Sequence, residues 1–259
     1  MNFRQKSLIV SLVPSLTLFL LTVSTPVLNP LLGSIVVMIL YYFLLYWLLD
    51  FDIETIGFIT ILLLSSLYLQ SISLFVITLS RNIENFILEI ILIIVSFMTI
   101  QIISRIANIA NTSSIKRIPL FQVSQSVSYV FTILTIFLSC LSVQMLNLPI
   151  FVSIIYISIF LALIILGNTF ALESRDRKFS LLLSLLAFIS IMSVFLVTAF
   201  INLSIVYRSL IFAVVSLICF GYIFSMTKNQ KASYVISNLQ VIAVSILIFT
   251  VVIFSIAIF

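Results

Sequence analysis

Long apolar runs separated by short polar breaks make up almost the whole chain. A hydrocarbon core about 30 Å thick needs roughly 20 apolar residues at 1.5 Å of helical rise each. Read at that length, the pattern predicts nine spanning helices: 7–27, 31–49, 54–79, 83–104, 121–146, 149–171, 179–202, 206–226 and 233–259. The breaks hold most of the charges and turn formers, among them Pro26/Asn29/Pro30, Asp50–Glu54, Arg81–Asn82, Arg105–Pro119, Asn147/Pro149, Glu173–Lys178 and Lys228–Lys231. Pro14 falls inside the first run, where a membrane helix is expected to kink and continue, because neighbouring groups satisfy the freed carbonyl. Arg4 and Lys6 ahead of that run also fit the start of a signal peptide. No small-residue cleavage site follows, and Pro30 leads straight into the next run, so the first segment is expected to be retained.

Direction follows from the basic residues. With the N-terminus inside, the inner breaks hold Arg4, Lys6, Arg105, Lys116, Arg117, Arg175, Arg177, Lys178, Lys228 and Lys231, and the outer ones hold Arg81 and Arg208. Ten against two accounts for all 12 Lys and Arg. The bias emerges only if the basic breaks alternate, so it supports the span count as well as the direction. The expected fold is an all-α, polytopic transmembrane helix bundle of nine spans, N-terminus inside and C-terminus outside. Residues 1–259 are read as a single integral membrane domain with no soluble domain. No internal repeat is visible.

Composition sharpens this picture. Hydrophobic residues make up 63% of the 259 positions and charged residues 7%, with a mean hydropathy of +1.42. Soluble domains carry roughly 25% charged residues, so a soluble fold is excluded. With no histidine, histidine-ligated haem, histidine-containing zinc sites and histidine-based triads are excluded too. Gly33, Gly57, Gly167 and Gly221 stand too far apart for a phosphate-cradling loop. Cys140 and Cys219 read as apolar packing residues. No cofactor is expected. The net charge of +5 suits inner breaks lying against anionic headgroups, and nucleic acid is not an expected partner. Glycine is scarce, so serine is expected to take its place where helices meet: Ser65, Ser66, Ser71 and Ser73 in the third run; Ser124, Ser126 and Ser128 in the fifth; Ser180, Ser184, Ser190 and Ser193 in the seventh. Most should pack or bond back to the preceding turn, with a polar channel lining as the other reading.

Glu89 is the ionisable residue placed deepest by the pattern, about 9 Å along the fourth run. It reads either as a proton or cation site neutralised by Arg81 or Arg208, or as a side chain reaching the outer surface beside Asn85. Asp50, Asp52 and Glu54 form one acidic break on the inner side, and Glu173 with Asp176 forms another. Carboxylates on two loops of one face can hold Mg²⁺ against a diphosphate. This layout resembles the membrane-embedded aromatic prenyltransferases, which have nine spans with acidic motifs after the second and sixth. The resemblance implies metal ligation by Asp50, Asp52, Glu173 and Asp176. The family's first motif is Asn-Asp-x-x-Asp-x-x-x-Asp where this chain has Asp-Phe-Asp-Ile-Glu; its second is Asp-x-x-x-Asp where this chain has Glu-Ser-Arg-Asp.

The break from Arg105 to Pro119 is the most distinctive. Asn108, Asn111 and the Thr-Ser-Ser run suit a helix end and turn, and Pro119 suits the entry to the next helix. The run from Asn108, NIANTSSIKRIPLFQVSQSVSYVFTILTIFL, is similar to a stretch of an uncharacterised multi-pass membrane family of candidate-phyla bacteria, known only as a domain of unknown function. That resemblance spans roughly residues 100–225 and implies a bacterial inner-membrane protein without implying an activity. Asn108, Asn111, Lys116 and Arg117 are the candidate loop site, against the reading of a capped, positive inner loop. Three functions remain open: a non-enzymatic scaffold or subunit of a complex with other membrane proteins, a small-solute or ion transporter, and a Mg²⁺-dependent prenyltransferase-like enzyme.

Overall fold

A computed structural model describes residues 3–23, 29–53, 58–82, 86–116, 120–171, 177–200 and 203–228. All regular structure among these residues is helical: α1 (Phe3–Val23), α2 (Pro30–Leu48), a π-helical turn (Phe58–Leu63), α3 (Leu64–Asn82), α4 (Phe86–Lys116), α5 (Leu120–Met145), α6 (Ile150–Ala171), α7 (Arg177–Phe200) and α8 (Ile205–Lys228). Six of the described helices are long and apolar enough to cross a membrane, and α7 and α8 carry shorter apolar stretches, Ser184–Thr198 and Ile205–Gly221. Eight of the nine expected runs coincide with a helix to within a few residues at their starts. The ninth, 233–259, lies outside the described residues.

Helix boundaries follow local chemistry. Asn29 caps α2, its side chain accepting from the Leu31 N–H at 3.1 Å, and Pro30 occupies the first position, where its missing N–H costs nothing. α1 runs unbroken through Pro14, as a lipid-exposed or packed helix can. One boundary corrects the sequence reading. The fourth span was expected to end near residue 104, with Asn108, Asn111 and the following Thr-Ser-Ser run in a turn, but α4 continues to Lys116. No Gly or Pro interrupts residues 86–116, and the Thr112 hydroxyl bonds back to the Asn108 carbonyl at 2.8 Å, so polar side chains are accommodated without ending the helix. At 31 residues, α4 is about 46 Å long.

The chain divides into two compact units, one up to Ser142 and one from Val143. In the first, α3 is the central helix, packed most extensively on α2 and also against α1 and α4, while α1 packs on α2 and α4. Nearly every described position of α3 is buried, including Ser65, Ser66, Gln70, Ser71, Ser73, Thr78 and Ser80. Large apolar side chains turn outward instead: Leu12, Leu16 and Leu20 on α1, and Ile91, Ile94, Val95, Met98 and Ile102 on α4. Small polar residues inside and Leu/Ile outside would be a costly arrangement in water and is an economical one in lipid. In the second unit, α7 packs against both α6 and α8. Phe195 meets Phe212 edge-on at 5.4 Å.

Candidate functional site

The end of α2 brings Lys6, Asp50 and Asp52 together. Asp50 and Phe51 both adopt left-handed backbone, with φ of 56° and 60°. The Asp50 N–H donates to the Trp47 carbonyl and the Phe51 N–H to the Tyr46 carbonyl, each at 3.2 Å. This is the hydrogen-bond pair of a left-handed helix cap, a role glycine usually fills. Such caps bring an apolar side chain just beyond the helix back onto its last turn, and Phe51 meets the Tyr46 ring edge-on at 4.8 Å. Phe58, at the start of the π-helical turn, closes on the other side of Tyr46 at 5.4 Å.

Two other helices fasten to this cap. Lys6, near the start of α1, pairs with the Asp50 carboxylate and lies 5.4 Å over the Trp47 ring. The Asn111 side-chain amide of α4 donates to the Asp52 carbonyl at 2.9 Å. Lys6, Trp47, Asp50, Asp52 and Asn111 therefore join the beginning of α1, the end of α2 and the last turns of α4 at one end of the unit. The Asp50 side chain is 75% exposed, so solvent screens the ion pair and its contribution lies between zero and about 1 kcal/mol. Helix–helix bonds add further joints. The Tyr41 hydroxyl of α2 meets Ser104 of α4 at 3.0 Å. Tyr68 of α3 reaches the Ser128 hydroxyl and carbonyl and the Thr132 hydroxyl of α5, at 2.8, 3.0 and 2.9 Å.

The expected site residues are only partly assembled. Asn111 is buried and engaged as described, and Asn108 is half-buried within α4, its carbonyl bonded by Thr112. Lys116 closes α4. Arg117, Glu54, Glu173 and Asp176 lie outside the described residues, so of the proposed metal ligands only Asp50 and Asp52 are placed. Among the described residues no group of three or more carboxylate, cysteine or histidine side chains converges. Glu89 sits in the first described turn of α4, half-buried between the exposed Ile87 and Ile90; residues 83–85, from which its expected depth was counted, lie outside the described residues. Many serines bond back to the preceding turn, as Ser66 does to Leu62 at 2.7 Å and Ser73 to Leu69 at 2.8 Å.

Sequence reasoning missed the Lys6–Trp47–Asp50 contact and both tyrosine joints. The first was accessible in principle: an α1–α2 hairpin returns residue 50 to the level of residue 6. The tyrosines carried no local signal, since a mid-span Tyr reads as apolar bulk until its hydroxyl finds a partner. No protein family, no curated protein and no solved structure matches this chain.

Proposed function

We propose that this chain is a non-enzymatic structural subunit of a membrane complex: an integral inner-membrane protein of nine spans, N-terminus inside, C-terminus outside. The observation that carries this reading is that Tyr41 and Tyr68, two large side chains with hydroxyls buried in the first unit, are committed to joining helices. Two features add support. The Asp50 carboxylate is engaged by Lys6, and Glu89 stands at a helix end between outward-facing isoleucines. The ten-to-two distribution of basic residues supplies the direction, and the lengths of α7 and α8, 24 residues each, are enough to span about 36 Å.

Purified protein in sealed vesicles provides the test. The structural reading expects no proton, cation or solute flux above that of protein-free vesicles, and no Mg²⁺-dependent consumption of an isoprenyl diphosphate. Gentle extraction from native membranes should yield a stoichiometric assembly with a second membrane protein. Flux abolished by Glu89→Gln would replace this function with transport, and diphosphate release lost in Asp50→Asn would replace it with prenyl transfer.

A further inference from the structure

The last turns of α4 present two faces of different character. Ile100, Ile103, Ser104, Ala107 and Asn111 are buried, Ser104 against Tyr41 of α2 and Asn111 against the Asp52 carbonyl. On the other side Met98, Ile102 and Ile109 are exposed, and Arg105 is exposed with them. Residues three and four apart are neighbours on a helix surface, so Gln101, Arg105 and Asn108 form a polar stripe alongside the apolar one. Gln101 and Asn108 are half-buried. Arg105 precedes Asn111 by about 9 Å of helical rise. It therefore stands on the outward, lipid-facing side of α4, deeper than the cap where the 75% exposed Asp50 meets water. An arginine so placed is costly unless it reaches an anion. The acidic side chains among the described residues are Asp50, Asp52 and Glu89. Asp50 is paired with Lys6, Asp52 belongs to the segment held against the buried face of α4, and Glu89 is about 24 Å away along the same helix.

We propose that Gln101, Arg105 and Asn108 form a site on α4 for the phosphate of an anionic phospholipid. The planar fork of a guanidinium donates to two phosphate oxygens at once, and each neighbouring amide adds N–H donors. The arginine stem can lie along apolar surface while its head turns back toward the headgroups, and the exposed Met98, Ile102 and Ile109 offer the acyl chains a surface. The same bulky residues favour lipid over a partner helix, because helix–helix contacts in membranes use small residues. The two asparagines of this stretch thus divide their work: Asn111 braces the α2 cap from the buried face, and Asn108 flanks Arg105.

The full-length protein is equilibrated with vesicles of equal parts phosphatidylglycerol and phosphatidylcholine, extracted mildly, and its retained lipid measured by native mass spectrometry. Wild type is expected to retain phosphatidylglycerol preferentially. Arg105→Gln should lower that retention about tenfold, in line with the worth of a charge-assisted hydrogen bond, and Asn108→Ala about fivefold. Arg105→Lys keeps the charge without the fork and should retain an intermediate amount, which keeps the test informative if Arg105→Gln does not fold. Arg4, exposed at the start of α1, is the control, and Arg4→Gln should leave the preference close to that of wild type. An equal fall in Arg4→Gln would mean a general attraction between basic residues and anionic lipid and would overturn the site, as would unchanged retention in both Arg105 variants. A photo-crosslinker at Ile109 that captures a second membrane protein in native membranes, in place of lipid, would overturn it too and give this face to a protein partner.

Discussion

Hydroxyl groups do two different jobs in this chain, and their cost of removal should differ accordingly. The Tyr68 hydroxyl meets three oxygen atoms on α5, so Tyr68→Phe removes a joint between helices and strands polar partners in an apolar interior. Interhelical hydrogen bonds in membrane proteins average about 0.6 kcal/mol and reach about 1.7, and Tyr68→Phe is expected near the upper figure. Ser139 provides the contrast: it is fully buried and its hydroxyl has no partner among the described residues. Ser139→Ala removes an unsatisfied polar atom and should be neutral or slightly stabilising. Reversible unfolding in mixed micelles separates the two, and a Ser139→Ala loss as large as that of Tyr68→Phe would refute the distinction. Neither role is readable from residue identity. Ser104 accepts one bond across to Tyr41 and makes another back to Ile100 at 2.8 Å, and nothing about a serine in an apolar run announces which of these it will do.

At the scale of the element, the instructive case is α4. Its sequence contains three residue types favoured at helix ends (Asn108, Asn111 and the Thr112–Ser114 run), and these gave the expectation of a turn. Asn, Ser and Thr end helices when they compete for backbone groups in a non-helical conformation. Here Thr112 makes its bond backward inside the helix, and Asn111 is drawn to the Asp52 carbonyl of a different segment, so tertiary contacts outweigh the local preference. The last turns of α4 consequently brace the cap that ends α2. Asn111→Ala should loosen that brace: amide exchange at Phe51–Ile53 is expected to quicken about fivefold, the equivalent of one ordinary hydrogen bond of about 1 kcal/mol, while protection in the middle of α4 stays unchanged. Unaltered exchange at the cap would mean that Asn111 does not hold it. The cap itself was half legible. Asp50–Glu54 was recognisable as a break between helices, but two consecutive left-handed residues without a glycine could not be anticipated, because the Tyr46–Phe51 ring contact and the Lys6 pair that favour them come from packing.

For the whole molecule the decisive quantity is the parity of crossings. An odd number of spans sends the two chain ends to opposite sides, and the proposed orientation puts Lys6 and Asp50 on the inner side with Arg208 on the outer. Reporter fusions check this directly: a tag at residue 1 should be shielded from external reagents, a tag after residue 259 exposed, and cysteines introduced at Asp50 and Ser204 should label from opposite sides. Both ends labelling from one side would require an even number of crossings and would reverse the assignment of every break beyond the misread span. The architecture also explains why hydropathy identified helices without identifying their faces. In a soluble bundle the buried stripe is apolar and the outer face polar, so a period of 3.6 marks the core. In α4 the outward residues are Ile91, Ile94 and Met98, while Ile100, Ile103 and Ser104 are buried. Both faces are apolar, and the contrast that would distinguish them is missing.

The positions of the long apolar runs, the helical class and the exclusion of histidine or glycine-loop chemistry were decided by the sequence alone, because a run of apolar residues is a property of consecutive residues. The pairing of Lys6 with Asp50, the choice of Tyr41 and Tyr68 as joints and the reach of α4 to Lys116 were decided only by tertiary structure. Each depends on which turn of one helix lies beside which turn of another, and that register is set by packing between segments dozens of residues apart.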